Sequence, residues 1–452
     1  MKMSDKFKKR LGMGFGYVGS SQMFLIVSAY LTYFYTNVVG LSAGIIGTIF
    51  LVSRVLDGLS DIVFGNVIDK TRTKMGVARP WVLRMSIFGF LGILGLFCVP
   101  HVGDTAKYLY VFISYNVANA VIATLYQLST MTLPTYMTRD QTERGILYIC
   151  ANTGNFLVQF ILSTFMFRIV TSLGGDQRAW ILATGGVAFV GMLFAMLCVV
   201  LCKEEVDPDE IAKTAGIEAK VPFLKALKAV VSNKYWWMIL GFVTLGTGVY
   251  SGTAMITPYY SQYVLGNTTL ADTLNSCFAF PMMIMTPCLG FIIAKVGKRN
   301  IALFGSCSIV VGSVVAALFP NSLPMLCCAQ VFKSIGVGCP TAVYAAMLAD
   351  SIEYGQWKTG IRAQAVTMGA QSAGGKIGAG LITTAITWIL QAVGFNGSIA
   401  IQNESTINAI QKMYSILPLC LAACMVLILV VYDLDKRYPS IMADLKKREG
   451  RE

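Results

Sequence analysis

The sequence predicts an all-α membrane protein with twelve transmembrane helices in two six-helix halves and with both termini in the cytoplasm. Only 13% of the residues are charged and 55% are hydrophobic, with a mean hydropathy of +0.64. A soluble domain has about 25% charged residues. Apolar stretches of about 20 residues recur along the chain, and each is long enough to cross about 30 Å of hydrocarbon.

The distribution of positive charge predicts the orientation. Of the 36 Lys and Arg residues, 28 fall in the termini and in the loops after even-numbered helices, and four fall in the opposite loops. This asymmetry follows the positive-inside rule and requires an even number of spans. The net charge of +13 therefore reflects membrane topology, and no nucleic-acid partner is expected.

The apolar segments set the predicted boundaries of the helices. In order, the spans are predicted at residues 11–36, 42–67, 81–100, 108–136, 146–170, 179–202, 235–264, 273–295, 301–319, 324–349, 363–394 and 410–432. The longest cytoplasmic loop divides them six and six. The predicted domains are an N-terminal bundle (1–202), a central loop (203–234), a C-terminal bundle (235–432) and a cytoplasmic tail (433–452).

The second span contains an unusual cluster of charge. Arg54, Asp57 and Asp61 follow an i, i+3, i+7 spacing, so they share one helical face. A charge in the middle of a membrane helix costs roughly 2.5–3.5 kcal/mol, so such residues normally mark an ion or substrate path. The two carboxylates are one turn apart and can converge on one small cation. The alternative is a structural ion pair of Arg54 with one aspartate.

A weak internal repeat relates the two halves. Gly65-x-x-x-Asp69-Lys70 ends the second span, and Gly290-x-x-x-Ala294-Lys295 ends the eighth. We expect the glycines to let neighbouring helices approach. Two matching six-helix halves are typical of a transporter that rocks around a central site. The pattern resembles the inner-loop motif of the major facilitator superfamily.

Three stretches make the resemblance more specific. They are Gly12-x-Gly-Phe-Gly16 with the following segment 33–42, the segment from Arg54 to Trp81, and Ala349-Asp-Ser-Ile-Glu-Tyr-Gly-Gln-Trp-Lys-Thr-Gly-Ile-Arg362. Together they resemble the glycoside–pentoside–hexuronide:cation symporters, the relatives of melibiose permease. The resemblance extends over essentially the whole chain and implies the major facilitator fold.

The resemblance implies roles for the charged residues. Asp57 and Asp61 match the positions that bind the coupling Na⁺, Li⁺ or H⁺, with Arg54 and Lys376 as their charge partners. Lys376 is also the only charged residue in span 363–394, so it needs an anionic neighbour. Two mixed-charge segments, residues 69–80 and 350–362, are predicted to meet at the cytoplasmic face and to act as gates. Their gating residues are Asp69, Arg72, Asp350, Glu353 and Arg362.

The sugar-binding positions of the galactoside-type members are changed here. Their two carboxylates correspond to Ser21 and Tyr126, a stacking tryptophan to Thr130, and a helix-five arginine to Asn152. The melibiose site is therefore absent. Neutral polar residues are predicted to replace it: Ser21, Gln22, Tyr126, Gln127, Asn152 and Gln371, with Ser20, Asn119 and Asn155 as further candidates. The alternative for each is ordinary hydrogen bonding between helices.

These observations predict a secondary active symporter that couples entry of Na⁺ or H⁺ to uptake of a glycoside, pentoside or hexuronide by alternating access. Its expected partners are the sugar, the cation and membrane lipid, in the cytoplasmic membrane, with no other cofactor and no metal centre. No catalytic constellation predicts an enzyme. The alternatives are a major-facilitator carrier of a lipid-like or other non-sugar solute, and a membrane receptor or scaffold. The charges of Arg54, Asp57, Asp61 and Lys376 sum to zero, so a bound cation leaves a net charge of +1. This gives a slight preference for an acidic glycoside.

Overall fold

The computed structural model describes residues 5–206, 223–361, 364–397, 399 and 401–448, and these residues form helices and connecting loops without a β-strand. The helices are α1 Asp5–Leu25, α2 Ala43–Asp69, α3 Arg79–Phe97, α4 Asp104–Tyr115, α5 Thr124–Met137, α6 Gln141–Ser172, α7 Gln177–Leu201, α8 Phe223–Val231, α9 Lys234–Tyr263, α10 Leu270–Val296, α11 Lys298–Leu318, α12 Leu323–Thr359, α13 Gln364–Ala392, α14 Glu404–Val431 and α15 Leu434–Arg448. Three π-helical segments follow or join them, at Ile26–Leu31, Phe34–Val38 and Asn116–Ala123.

The prediction of an all-helical membrane protein is confirmed. A long helix lies at each predicted span, with α4, the π-helical segment 116–123 and α5 together forming one of them. Nine helices in the described part of the chain have the length and apolarity to cross a membrane. Many large apolar side chains on these helices are exposed, as residues facing lipid would be.

The helices divide into two compact units, and the division does not fall at the midpoint of the chain. The first unit contains residues 1–208, 254–283 and 383–411, and the second contains 209–253, 284–382 and 412–452. Parts of α9, α10, α13 and α14 therefore belong to the first unit. The predicted division of the chain at the central loop remains a prediction.

Close helix packing in the first unit depends on glycine in α1 and its neighbours. A Cβ on Gly154 of α6 would overlap the backbone of Gly14 in α1, so the two backbones are in direct contact. Gly65 behaves differently, because a Cβ there would meet none of the described atoms within 4 Å. Among the described residues no helix packs closely on Gly65, and its role in bringing helices together stays a prediction.

Segments from the later part of the chain are hydrogen-bonded to earlier helical segments within the first unit. The hydroxyls of Thr36 and Tyr259 are 2.7 Å apart, and the amide of Asn37 donates to the Tyr263 hydroxyl at 2.7 Å. The buried carboxylate of Asp272 in α10 accepts the backbone N–H groups of Phe167 and Arg168 at 3.0 and 2.8 Å. These polar contacts join the end of α9 and the start of α10 to the earlier helices.

A buried lysine in the second unit stabilises a proline kink. Pro418 in α14 has no N–H group, so the carbonyl of Tyr414 lacks its usual helical donor. The ammonium of Lys333, which is fully buried in α12, donates to this carbonyl at 2.8 Å and lies 4.2 Å from the centre of the Tyr414 ring. The contact explains how a positive charge is tolerated among apolar helices.

Each unit also contains one arginine and one carboxylate that cap two helix ends. In the first unit, Glu204 accepts backbone N–H groups at the start of α3, and Arg79 donates to the carbonyl of Val199 near the end of α7. In the second unit, Asp435 accepts the N–H of Arg299, whose guanidinium donates to carbonyls at the end of α14. We call these the first and second capping pairs.

Candidate functional site

The charged residues predicted in the second span lie together on α2, and a neighbouring helical segment completes the cluster. The Asp57 carboxylate is 2% exposed, and its Oδ2 lies 3.6 Å from Nη1 of Arg54. The side-chain amide of Asn119 donates to the same Oδ2 at 2.7 Å. Asp61 is one turn further along α2 and is half-buried. Charge and polarity are therefore concentrated at one place in the first unit.

Local helix geometry brings Asn119 to Asp57. Asn119 lies in the π-helical segment Asn116–Ala123, where each turn contains an additional residue and the side chains change direction relative to an α-helix. Just before this segment, the ring of Tyr115 stacks on Phe50 of α2 at 4.4 Å. The stacked rings hold α2 against the π-helical segment one to two turns from the carboxylate.

The cluster is chemically suited to a small hard cation or a proton. Carboxylate and amide oxygens are the groups that hard cations prefer. Arg54, Asp57 and Asp61 carry a formal net charge of −1, which one monovalent cation would neutralise in a medium of low dielectric constant. Arg54 pairs with Asp57, as the structural alternative predicts.

The predicted substrate-binding residues are distributed over several environments. Gln22 and Tyr126 line a small cavity inside the first unit, among α1, α3, α5 and α7. The Tyr126 hydroxyl lies against Gly19, and Ser21 is buried nearby on α1. The structure thus places these three side chains within a bundle of helices. Their role in binding the substrate stays a prediction.

The other predicted substrate residues differ in exposure. Gln127 and Asn152 are exposed in the first unit. Gln371 is buried in the second unit, where its amide donates to the carbonyl of Ile239 at 3.3 Å. Lys376, on the same helix as Gln371, is half-buried and also belongs to the second unit. Asn119, a further sugar candidate from the sequence, is bonded to Asp57 and belongs to the charged cluster.

The predicted gating residues make local contacts. Asp350 forms an ion pair with Lys298, and Glu353 accepts a hydrogen bond from Tyr438 of α15. Arg72 donates to the carbonyl of Thr71 at 3.1 Å. Arg362 and the side chain of Asp69 lie outside the described residues, so the predicted contact between the two gating segments remains a prediction.

Sequence reasoning missed Glu204 in this region. The sequence places Glu204 in the central loop (203–234) without a role, but its carboxylate caps the start of α3. The available signal was its position directly after an apolar span, where a carboxylate can reach the N-terminus of a neighbouring helix.

The apolar helices define a multi-pass membrane protein. The chain belongs to the family described as MFS/sugar transport protein, which matches residues 12–436. This match confirms the resemblance to the major-facilitator sugar symporters drawn from the sequence. The family consists of transporters, and the prediction that the chain is no enzyme is confirmed with it.

Individual proteins show the same likeness. The chain is 29% identical over 440 residues to the isoprimeverose transporter of Lactiplantibacillus pentosus, covering 95% of this chain and 89% of the relative. It is 26% identical over 461 residues to an Escherichia coli (strain K12) protein provisionally named a glycoside/cation symporter, covering 99% and 96%. A solved proton-dependent oligopeptide transporter has the same fold, with a TM-score of 0.67, 14% identity and coverage of 96% and 100%.

Proposed function

We propose that the protein is a cation-coupled sugar symporter of the cytoplasmic membrane that works by alternating access. The observation that supports this most is the cluster of Arg54, Asp57 and Asn119 on helices with the length of membrane spans. Buried charge of this kind is costly in a membrane and marks an ion path. Relatives named as an isoprimeverose transporter and a glycoside/cation symporter support a glycoside as the transported solute.

The proposal includes the finer topology. Twelve helices cross the bilayer, both termini are cytoplasmic, and lipid surrounds the exposed apolar side chains. The excess of Lys and Arg in the termini and in the loops after even-numbered helices supports this orientation. Asp57 and Asp61 bind the coupling ion, which neutralises part of their negative charge and favours the conformation that accepts the sugar. Ion and sugar then stabilise each other's binding reciprocally.

Uptake into proteoliposomes tests the proposal. Vesicles containing the purified protein are given an inward Na⁺ gradient or an inward proton gradient, and uptake of labelled isoprimeverose is measured against vesicles without a gradient. We expect a cation gradient to stimulate uptake, and Asp57→Cys and Asp61→Cys to abolish the stimulation. Asp104→Asn is the matched control, because Asp104 is an exposed carboxylate at the start of α4.

The results separate the proposal from its alternatives. Cation stimulation that is unchanged in both the Asp57 and Asp61 variants would refute the coupling site. Transport of lysolipid with no transport of any glycoside would instead support a carrier of lipid-like solutes. Absence of transport for every solute class would favour a receptor or scaffold.

The charge of the sugar is a separate part of the proposal. The preference for an acidic glycoside depends on the positive charge of Lys376. Competition between a neutral glycoside and its uronic-acid counterpart tests the preference. If the neutral glycoside competes better and Lys376→Gln does not change the order, the substrate is neutral.

A further inference from the structure

We propose that Asn119 is a ligand of the coupling ion at Asp57 and the residue that selects a metal cation over a proton. The inference rests on the proposed function and deepens it. Asn119 comes from a different helix than the two carboxylates, and its amide is already 2.7 Å from Oδ2 of Asp57. Asp57 is almost fully buried, so few groups can reach a bound ion.

The two ends of the amide give it two roles. In the structure, the NH₂ group donates to the Asp57 carboxylate. A Na⁺ or Li⁺ ion on Oδ2 would be repelled by those hydrogens. Rotation of the amide about its last side-chain bond, which has a broad torsional preference, replaces the NH₂ group by the oxygen Oδ1. That oxygen then becomes a neutral ligand of the ion.

A proton does not require this rotation. When Asp57 is protonated, its carbonyl oxygen still accepts a hydrogen bond from the NH₂ group of Asn119. The amide oxygen of Asn119 therefore contributes to the binding of a metal cation and does not contribute to the binding of a proton. Removing that oxygen should weaken Na⁺ and Li⁺ and leave proton coupling in place.

The structure also indicates that the Asn119 side chain can be removed without loss of the cluster. Arg54 still pairs with Asp57 at 3.6 Å when the amide is absent. The stacked rings of Phe50 and Tyr115 still hold α2 against the neighbouring segment. Asn116 provides a matched control, because it lies on the same π-helical segment and its amide donates to the carbonyl of Phe112 in its own helix at 2.7 Å.

Ion binding to the purified full-length protein is the direct test. Na⁺ and Li⁺ are titrated in the absence of sugar and followed by the shift in melting temperature, and proton-driven uptake is measured separately in proteoliposomes. We expect Asn119→Ala to raise the Kd for Na⁺ about tenfold to a hundredfold, the usual range for loss of a supporting group at a metal site. Proton-driven uptake should persist, and Asn116→Ala should behave as the unmodified protein.

Asn119→Asp distinguishes a ligand from a purely structural donor. The aspartate offers an oxygen to a metal ion but no hydrogen to Asp57. If Asn119 is a ligand, Asn119→Asp retains or strengthens Na⁺ binding while Asn119→Ala loses it. If Asn119 only holds Asp57 in place, the added carboxylate repels Asp57 and both variants lose Na⁺ binding, which overturns the proposal.

The remaining outcomes separate this inference from the proposed function. If Asp57→Cys removes the Na⁺ response and Asn119→Ala leaves Na⁺ affinity and the Na⁺/H⁺ preference unchanged, the role of Asn119 is wrong and the symporter remains. If the unmodified protein shows neither a Na⁺ or Li⁺ response nor cation-stimulated uptake, the symporter proposal fails and the ligand role of Asn119 fails with it.

Discussion

The first and second capping pairs both provide hydrogen-bond partners for helix ends, but the carboxylate and the arginine contribute differently in each pair. Glu204 accepts three backbone N–H groups, from Val77, Ala78 and Arg79, at 2.7–2.9 Å and uses both carboxylate oxygens. Asp435 accepts one, from Arg299 at 3.0 Å, and its other oxygen is buried without a hydrogen-bond partner among the described residues. The longer glutamate side chain spans the whole exposed start of a helix, and the aspartate reaches only its edge.

The arginines show the opposite difference. Arg79 directs both Nε and Nη2 to one carbonyl, that of Val199, at 3.0 and 2.5 Å. Arg299 divides the same two donors between the carbonyls of Leu429 and Val430, at 2.8 Å each. A helix end leaves carbonyls as well as N–H groups without partners. The first pair therefore satisfies mainly the start of α3, and the second satisfies mainly the end of α14.

The residue before each arginine adds a second difference. Ala78 precedes Arg79, whereas Lys298 precedes Arg299 and pairs with Asp350 of α12. Lys298 also lies over the ring of Tyr438 in α15. The second unit thus connects its capping pair to the predicted gating residues through charge. The two units therefore share the geometry of a helix cap but differ in the residues to which the cap is connected.

The largest effect should come from the two carboxylates. Glu204→Ala leaves three N–H groups without an acceptor, so we expect a loss of about 3 kcal/mol in the free energy of unfolding. Asp435→Ala removes the acceptor of one N–H group, so we expect about half that loss. Melting temperatures of the purified variants in one detergent measure both.

Glutamine and asparagine substitutions provide the controls for this comparison. Glu204→Gln keeps one acceptor oxygen and should recover part of the stability, and Asp435→Asn should recover most of it. Equal losses for Glu204→Ala and Asp435→Ala would show that the number of capped N–H groups does not determine the stability of the two units.

A second test uses a feature that α14 has and α7 lacks, a proline within the helix. Lys333→Met removes the donor to the Tyr414 carbonyl, and we expect a loss of about 2 kcal/mol because that carbonyl is buried. Pro418→Ala restores a backbone N–H for the same carbonyl. In the Pro418→Ala background, Lys333→Met should therefore cost less than in the unmodified protein.

The double-mutant cycle has a clear opposite result. If Lys333→Met costs the same with and without Pro418, the lysine stabilises α14 through its contact with the Tyr414 ring and not through the carbonyl. Melting temperatures of the four proteins, measured in the same detergent, decide between the two contacts.

The sequence predicted the helices because apolar length and charge asymmetry are local properties. The α2 cluster was also predictable, since the spacing of Arg54 and Asp57 fixes a shared helical face. The contact of Asn119 with Asp57 was not, because it depends on a π-helical segment that no local pattern indicates. Asn119 was therefore considered with the sugar-binding candidates.

Packing between distant segments was the other property that sequence could not give. Gln22 and Tyr126 are polar residues on helices, and no pattern says whether such side chains face a central path or the inside of a bundle. The same limit applies to Lys333, whose partner is a carbonyl made available by Pro418. Every residue has a carbonyl, so residue type does not show which carbonyl needs a donor. A proline four residues later does indicate a carbonyl that lacks its helical donor.

A third prediction tests the arginines. Lysine has one donor group on a flexible stem and cannot reproduce a planar guanidinium that donates in two directions. Arg299→Lys should cost about 1 kcal/mol, because one of the carbonyls of Leu429 and Val430 loses its donor. Arg79→Lys should cost less, because the carbonyl of Val199 keeps one donor and the other contact, from Nη1 to the exposed Met75 carbonyl, is long at 3.3 Å. Thermal unfolding of both variants checks the order. A larger cost at Arg79 would show that the number of capped carbonyls is not decisive.

The smallest expected effect concerns pH and compares the residues two positions before the two capping carboxylates. This residue is Cys202 in the first unit, two positions before Glu204, and Asp433 in the second, two positions before Asp435. The hydrogen bond from Tyr235 at 2.6 Å lowers the pKa of Asp433 below its usual value of 3.8, and the nearby Arg437 acts in the same direction. A carboxyl group whose pKa is lower in the folded state stabilises the protein above its unfolded pKa, and this contribution is lost as the pH falls through the folded pKa.

The second unit should therefore lose a small part of its stability to acid at the Asp433 contact, in a window that begins near pH 4 and extends below it. Because Asp433 is partly exposed, solvent screening should keep the effect under about 1 kcal/mol. Asp433→Asn should lower the melting temperature slightly at pH 7, and this difference from the unmodified protein should become smaller as the pH falls below 4. Asp104→Asn, which changes an exposed carboxylate in a surface pair with Lys107, should not alter the dependence on pH. If the difference between Asp433→Asn and the unmodified protein does not become smaller below pH 4, the Tyr235 contact does not favour the ionised carboxylate.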